Sequence, residues 1–153
     1  TTNNVKAAQD TEAFLAYLDT RDDVALDKIG TVGFCMGGGM AITVAGTYPE
    51  RVAAAASFHG SRLATDDPKS PHLLAPKIRA ELYVAVADKD GSCPPEMVER
   101  FRQALDDAGV RYRSEVYHGA SHGWMKTDFP VYDEAAAERG WSEMFALFDR
   151  VLK

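Results

Sequence analysis

The stretch Gly33-Phe34-Cys35-Met36-Gly37-Gly38 restricts the folds open to this chain more than any other. An apolar, β-branched run (Ile29, Val32) precedes it and a small-residue helical pattern follows, so strand, sharp turn and helix must succeed one another within a few residues. The spacing is G-x-Nuc-x-G, with cysteine at the apex. Such a turn predicts a strained backbone at Cys35, with the sulfur projecting above the sheet. Gly33 and Gly37, two residues to either side, are expected to remove side chains that would collide where strand and helix converge. Cys35 then lies at a helix N-terminus, where N–H groups and the helix dipole favour a thiolate and can stabilise an oxyanion. Free cysteine is also among the most buried residue types, so a structural thiol is the competing reading.

The chain has 153 residues, which suits one domain with one core, here taken as residues 1–153. Its 46% hydrophobic and 26% charged residues are ordinary for a folded protein, and its net charge of −6 offers nothing to nucleic acid or an anionic membrane. No apolar run approaches the ~20 residues of a transmembrane helix. Two cysteines, Cys35 and Cys93, make no disulfide framework, and a nucleophilic thiol must stay reduced, so the cytoplasm is expected. The chain begins at Thr1 rather than Met, as a processed product or a fragment would.

Helical and strand patterns alternate. Residues 4–19 read as an amphipathic helix through Val5, Ala8, Leu15 and Leu18, with Phe14 alongside. A strand over 29–34 leads into the elbow, and a Gly/Ala-rich helix over 37–47 stops before Pro49. Val52 to Phe58 and Leu82 to Ala87 are runs typical of strands buried on both faces. Between them, residues 61–80 (Pro68, Pro71, Pro76) read as an excursion with little regular structure that carries a right-handed crossover. A helix over 95–108, capped by Gly109, and a strand over 111–117 follow. Asp133 caps a last helix whose expected core face is Trp141, Phe145, Phe148 and Leu152. The order predicts an α/β fold, a parallel sheet with helices on both faces.

A cysteine nucleophile benefits from a base, and the base from an orienting group. His122, just past the last strand, is the candidate base. Asp90, just past the third strand, is preferred over Asp88 as its partner because of the spacing Ala87-x-x-Asp90-x-x-Cys93-Pro94. All three candidates fall at carboxyl ends of strands, the edge where open α/β sheets hold their sites. Of the other histidines, His72 reads as a surface residue, His118 as a weaker base, and His59 as pocket lining or a hydrogen-bonded structural residue. Trp124 and Lys126 are candidate substrate contacts; Trp124, Phe34 and Tyr132 read as either pocket lining or core, with core preferred for Phe34 and Tyr132. Met36 N–H is the candidate oxyanion donor. No His or Cys pair has zinc-like spacing, so no metal is expected.

At these loops the chain resembles the dienelactone hydrolase (carboxymethylenebutenolidase) family of α/β-hydrolases. The resemblance rests on the elbow, the acid loop, Gly119-Ala120-Ser121-His122-Gly123-Trp124, and residues Pro130 to Arg139. It implies a Cys-His-Asp triad that hydrolyses a small lactone or ester through a thioester acyl-enzyme, without a cofactor. It also implies an N-terminal portion, missing here, that supplies the first strands, a second oxyanion-hole N–H, a glutamate near the cysteine and a carboxylate-binding arginine. Without that portion the elbow strand would be an unpaired edge, so pairing with the missing segment or with a second copy is expected. A catalytically silent binding or assembly module is the main alternative function. A redox pair of Cys35 and Cys93 is a third reading, weakened by the absence of C-x-x-C.

Overall fold

The structure, a computed structural model, describes residues 2–25 and 27–153. Its elements are α1 (Asn4–Leu18), β1 (Ile29–Phe34), α2 (Met36–Thr47), β2 (Val52–Phe58), a 3-10 helix (Pro71–Lys77), β3 (Glu81–Ala87), α3 (Pro95–Asp107), β4 (Tyr112–Tyr117) and α4 (Glu134–Val151). The four strands are parallel and lie in sequence order, β1-β2-β3-β4. Crossovers of one hand that step the same way across a sheet must lie on one face. Accordingly the residues from α1, α2, the 3-10 segment and α3 share a single core with that face, including Ala8, Ile42, Ala75, Phe101 and Leu105. Among the described residues, α4, which follows the last strand, covers the other face together with Ala120, Trp124 and Met125 of the loop before it, over Phe58, Tyr83, Ala85 and Tyr117. The period of two along β3 sorts its side chains between the layers: Leu82, Val84 and Val86 face one core, Tyr83, Ala85 and Ala87 the other.

The caps follow local chemistry. Asn3 Oδ1 accepts from Lys6 N–H at 2.9 Å to start α1, and Asp133 Oδ1 accepts from Ala136 N–H at 2.9 Å to start α4. Gly109, at φ 67°, ends α3.

Three expectations need correction. The 61–80 excursion contains the 3-10 helix and buries Leu63, Ala64, Ala75 and Ile78, because it is the crossover and must cover the sheet. His72 is buried there, with Nδ1 2.9 Å from Ser70 Oγ, and is not a surface residue. The fully buried face of α4 is Ala137, Gly140, Met144 and Leu147, while Trp141, Phe148 and Leu152 of the expected face pack half-buried against the same core. Close approach at Gly140 sets this: a Cβ there would lie 2.8 Å from Met125 Sδ and 3.1 Å from Phe58 Cε1. The larger stripe is rotated toward β1, where Phe148 and Leu152 pack over Gly30, and Phe145 is exposed. On α1, Phe14 is exposed as well. The elbow strand β1 is an edge of the sheet, and Val32 on it is 41% exposed.

Candidate active site

Cys35 sits between β1 and the first residue of α2 at φ 55°, ψ −124°, a conformation that costs a non-glycine residue free energy unless its surroundings hold it. The chain approaches itself so closely that a Cβ on Gly33 would lie 1.8 Å from Gly37 O. Gly37 itself faces open space, so only one of the two flanking glycines is sterically required. The turn is stitched to the end of β2. Cys35 N–H donates to both Phe58 O (3.1 Å) and His59 Nδ1 (3.1 Å), and Cys35 O accepts from Gly38 N–H (3.0 Å) and Ser61 N–H (3.2 Å). The three non-glycine residues with positive φ among the described residues are Cys35, His59 and Arg62, all in this pair of loops.

The loops after β3 and β4 complete the arrangement. His122 Nε2 is 3.0 Å from Cys35 Sγ, and His122 Nδ1 is 2.6 Å from Asp90 Oδ2. The other Asp90 oxygen accepts from the Ser92 hydroxyl (2.6 Å) and Ser92 N–H (2.8 Å). Asp88, the other candidate acid, instead accepts from Gly119 N–H (3.0 Å) and lies 3.7 Å from exposed His118. Geometry therefore pairs Asp90, not Asp88, with His122, and leaves His118 outside the site.

Burial pushes the Asp90 carboxyl up. The Ser92 hydroxyl, His122 and Ser92 N–H outweigh it and hold the group below the usual carboxylate range. Burial alone would lower His122, yet its bonds to Asp90 and Cys35 leave it raised. Burial likewise opposes ionisation of Cys35, but His122, Met36 N–H and Ser61 lower the thiol below its ordinary value. Both shifts favour a thiolate–imidazolium pair, and the N-terminus of α2 adds its dipole. Cys93 is the contrast. Both cysteines are free, but Cys93 is buried, and burial with the nearby Asp90 charge pushes it up to about 11. It is an inert core thiol.

A cavity of about 450 Å3 opens beside Cys35 and His122, walled by Phe34, His59, Gly123, Lys126 and Phe129. Lys126 Nζ lies over the Phe129 ring at 4.2 Å, with Asp128 at 3.9 Å. Phe34 does both: half-buried, it packs against the core with its ring stacked on Phe58 at 5.4 Å, and it forms part of this wall. Trp124, expected to touch substrate, does not reach it: it is fully buried, stacked on Tyr117 with centroids 4.9 Å apart. His59 is both wall and structural support. Burial lowers its pKa to about 4, so the ring is neutral and Nδ1 is free to accept the Cys35 N–H. Sequence reasoning missed Ser61, Ser92 and Phe129. Ser92 had a local signal, because an Asp two residues before a Ser invites an Asx turn; Ser61 and Phe129 had none. A larger depression of about 620 Å3 lies away from the thiol, among Asp27, Arg51, Arg79, Arg111 and Arg150, and all four of these arginines are already paired with carboxylates. Among the described residues no cluster of three or more His, Cys, Asp or Glu could hold a metal ion, and no helix is long and apolar enough to cross a membrane.

A sequence profile described as "Dienelactone hydrolase family" matches residues 1–152. The chain belongs to the dienelactone hydrolase family. A Synechocystis sp. relative named "Putative carboxymethylenebutenolidase" is 32% identical over 155 aligned residues, covering 99% of this chain and 62% of the relative. A Bradyrhizobium sp. relative, "Probable 2-oxo-3-(5-oxofuran-2-ylidene)propanoate lactonase", is 29% identical over 93% of this chain and 58% of its own length. Among solved structures, the "Putative Dienelactone Hydrolase" of Klebsiella pneumoniae superposes with a TM-score of 0.86 at 26% identity, over 96% of this chain and 62% of that one. The chain thus spans about three fifths of the length of these dienelactone hydrolase relatives. The fold is that of these α/β-hydrolases, with β1 at an edge.

Proposed function

We propose that this chain carries the reacting groups of a cysteine-dependent hydrolase of small carboxylic esters or lactones. The observation that carries the reading is the sequence of contacts from Cys35 through His122 to Asp90, at 3.0 Å and 2.6 Å. Cys35, as the thiolate, adds to the ester carbonyl carbon. Met36 N–H, at the start of α2, faces the developing oxyanion. Collapse of the tetrahedral adduct forms the thioester and breaks the C–O bond. The imidazolium of His122 gives its proton to the departing alkoxide, which in a lactone stays attached to the acyl group. Neutral His122 then takes a proton from water, whose oxygen adds to the thioester. The carboxylic acid product leaves and thiolate and imidazolium are restored. Asp90 fixes the ring orientation and stabilises its charged form throughout. No step calls for a cofactor.

Phe34 and Phe129 suit a small apolar acyl group, and His59 bounds it. Lys126 is the only lysine or arginine in that wall and would attract an anionic substituent as a point charge. A lactone substrate accords with the name of the Bradyrhizobium relative. A reduced, cytoplasmic setting suits the free thiol.

The unpaired β1 edge supports a second reading, in which this chain is silent until a further segment or a second copy adds to that edge. Removal of one oxyanion-hole donor costs on the order of 100- to 1,000-fold in rate, so an incomplete site would be slow. Intact-mass analysis after brief mixing with a p-nitrophenyl ester separates the two. One acyl adduct, with a burst of nitrophenol, is expected on wild type and not on Cys35→Ala. Equal labelling of both proteins would overturn the proposal.

A further inference from the structure

Beside the path through His122, the site contains a second connection between the thiol and Asp90. Cys35 Sγ is 3.9 Å from Ser61 Oγ, Ser61 Oγ is 3.1 Å from Ser92 Oγ, and Ser92 Oγ is 2.6 Å from Asp90 Oδ1. With Cys35–His122 and His122–Asp90 these contacts close a ring of five side chains. Backbone bonds set the ring: Ser61 N–H donates to Cys35 O, Arg62 N–H to Ser92 O, and Ser92 N–H to Asp90 Oδ1.

Counting protons decides how the ring works. Ser92 has one hydroxyl hydrogen, and it is committed to Asp90, so Ser92 can only accept, from Ser61 at 3.1 Å and from His122 Nδ1–H at 3.3 Å. A thiolate has no hydrogen to give. The single Ser61 hydroxyl hydrogen is therefore contested by two acceptors, Cys35 Sγ and Ser92 Oγ. We infer that Ser61 and Ser92 are positioning residues in which one shared hydroxyl proton couples the charge on Cys35 to the hydrogen bonding of Asp90. With the free thiolate, Ser61 turns to sulfur. Once the sulfur carries an acyl group and is a poor acceptor, Ser61 turns to Ser92, which strengthens the Ser92 hydrogen bond to Asp90 by polarising it. This deepens the proposed cysteine mechanism and rests on it.

The two serines have opposite predicted effects. Ser61→Ala removes a donor to the thiolate, and its midpoint of ionisation should rise by about half to one pH unit, the scale of an ordinary net hydrogen bond. Ser92→Ala removes the competing acceptor and leaves more charge on Asp90 facing His122; the Ser92 contact to His122 Nδ1 that is lost with it, at 3.3 Å, is longer than the 2.6 Å bond to Asp90, so the midpoint should fall. The serine effects should also be non-additive: Ser61→Ala should raise the midpoint more in the Ser92→Ala background than in wild type. The other titratable or charged groups about the thiol are His122, Asp90, His59 and Lys126, with Arg62 next to Ser61; all are unchanged by these substitutions.

The measurement is the rate of iodoacetamide alkylation of Cys35 against pH, read by intact mass; buried Cys93 gives no competing label. Opposite shifts with coupling support the inference. Shifts of the same sign, or strict additivity, overturn it. The pair Ser61→Thr and Ser61→Val is isosteric and isolates the hydroxyl if the alanine variant folds poorly: Thr should hold the wild-type midpoint and Val should raise it. A wild-type midpoint near the ordinary thiol value that His122→Ala does not move would instead overturn the thiol–imidazole reading itself. A low midpoint that responds to His122→Ala but not to Ser61 leaves that reading standing and removes this one.

Discussion

Cys35 owes its properties to its neighbours, and the neighbours can be tested one at a time. Asp90 and Asp88 share a loop, but only Asp90 touches His122, while Asp88 holds the Gly119 N–H. Asp90→Asn is expected to lower kcat/KM for an activated ester by on the order of 100- to 10,000-fold, and Asp88→Asn by a few-fold at most. Steady-state rates on both variants check this. His59 gives a prediction on stability. Its pKa is about 4 in the fold and near 6.5 in the unfolded chain. Between those values the unfolded chain binds a proton that the folded chain refuses, so stability rises with pH. The contribution is complete above pH 6.5 and disappears as pH falls through 4. From pH 7 to pH 5, wild type should lose about 2 kcal/mol more than His59→Asn in urea unfolding. Parallel losses in the two proteins would show that His59 is not the group responsible.

At the scale of elements, the elbow separates two glycines that the sequence pattern treats alike. A side chain on Gly33 would overlap the backbone of Gly37, whereas Gly37 has open space around it and lies inside α2. Gly33→Ala should cost more than 4 kcal/mol, about the limit of ordinary single-residue effects, and yield little folded protein. Gly37→Ala should be neutral or stabilise by up to about 1 kcal/mol, because alanine is the better helix former. Urea midpoints and soluble yield distinguish them; equal effects would mean that the close approach at Gly33 is not what fixes the turn. The helices show a similar limit. The caps Asn3 and Asp133 and the terminator Gly109 were legible because each acts on backbone within a turn of itself. The face that α4 buries was legible only in part, through Trp141, Phe148 and Leu152, since Gly140 packs against Met125 and Phe58 from distant parts of the chain.

Over the whole molecule, the open edge is the feature with the clearest consequence. Among the described residues β1 has one strand neighbour, and Val32, Phe14 and Phe145 are exposed. An apolar, unpaired edge is a template for pairing. The isolated chain is expected to associate as its concentration rises, and Val32→Lys to shift it toward monomer in sedimentation velocity with little loss of stability. An unchanged distribution would place any association elsewhere. By itself the sequence determined the alternation of helix and parallel strand, the elbow, and the candidates Cys35, His122 and an aspartate after the third strand, because period, caps and motif spacing are local properties. It also placed those side chains on one edge, since chain order and strand direction suffice for that. Only the tertiary structure decided that Trp124 belongs to the core, that His72 is buried under the crossover and that Asp90 rather than Asp88 meets the imidazole. It alone joined Ser61 to Ser92, residues 31 apart in the chain. Those outcomes depend on which distant surfaces come within a few ångströms of one another, and no local pattern encodes that.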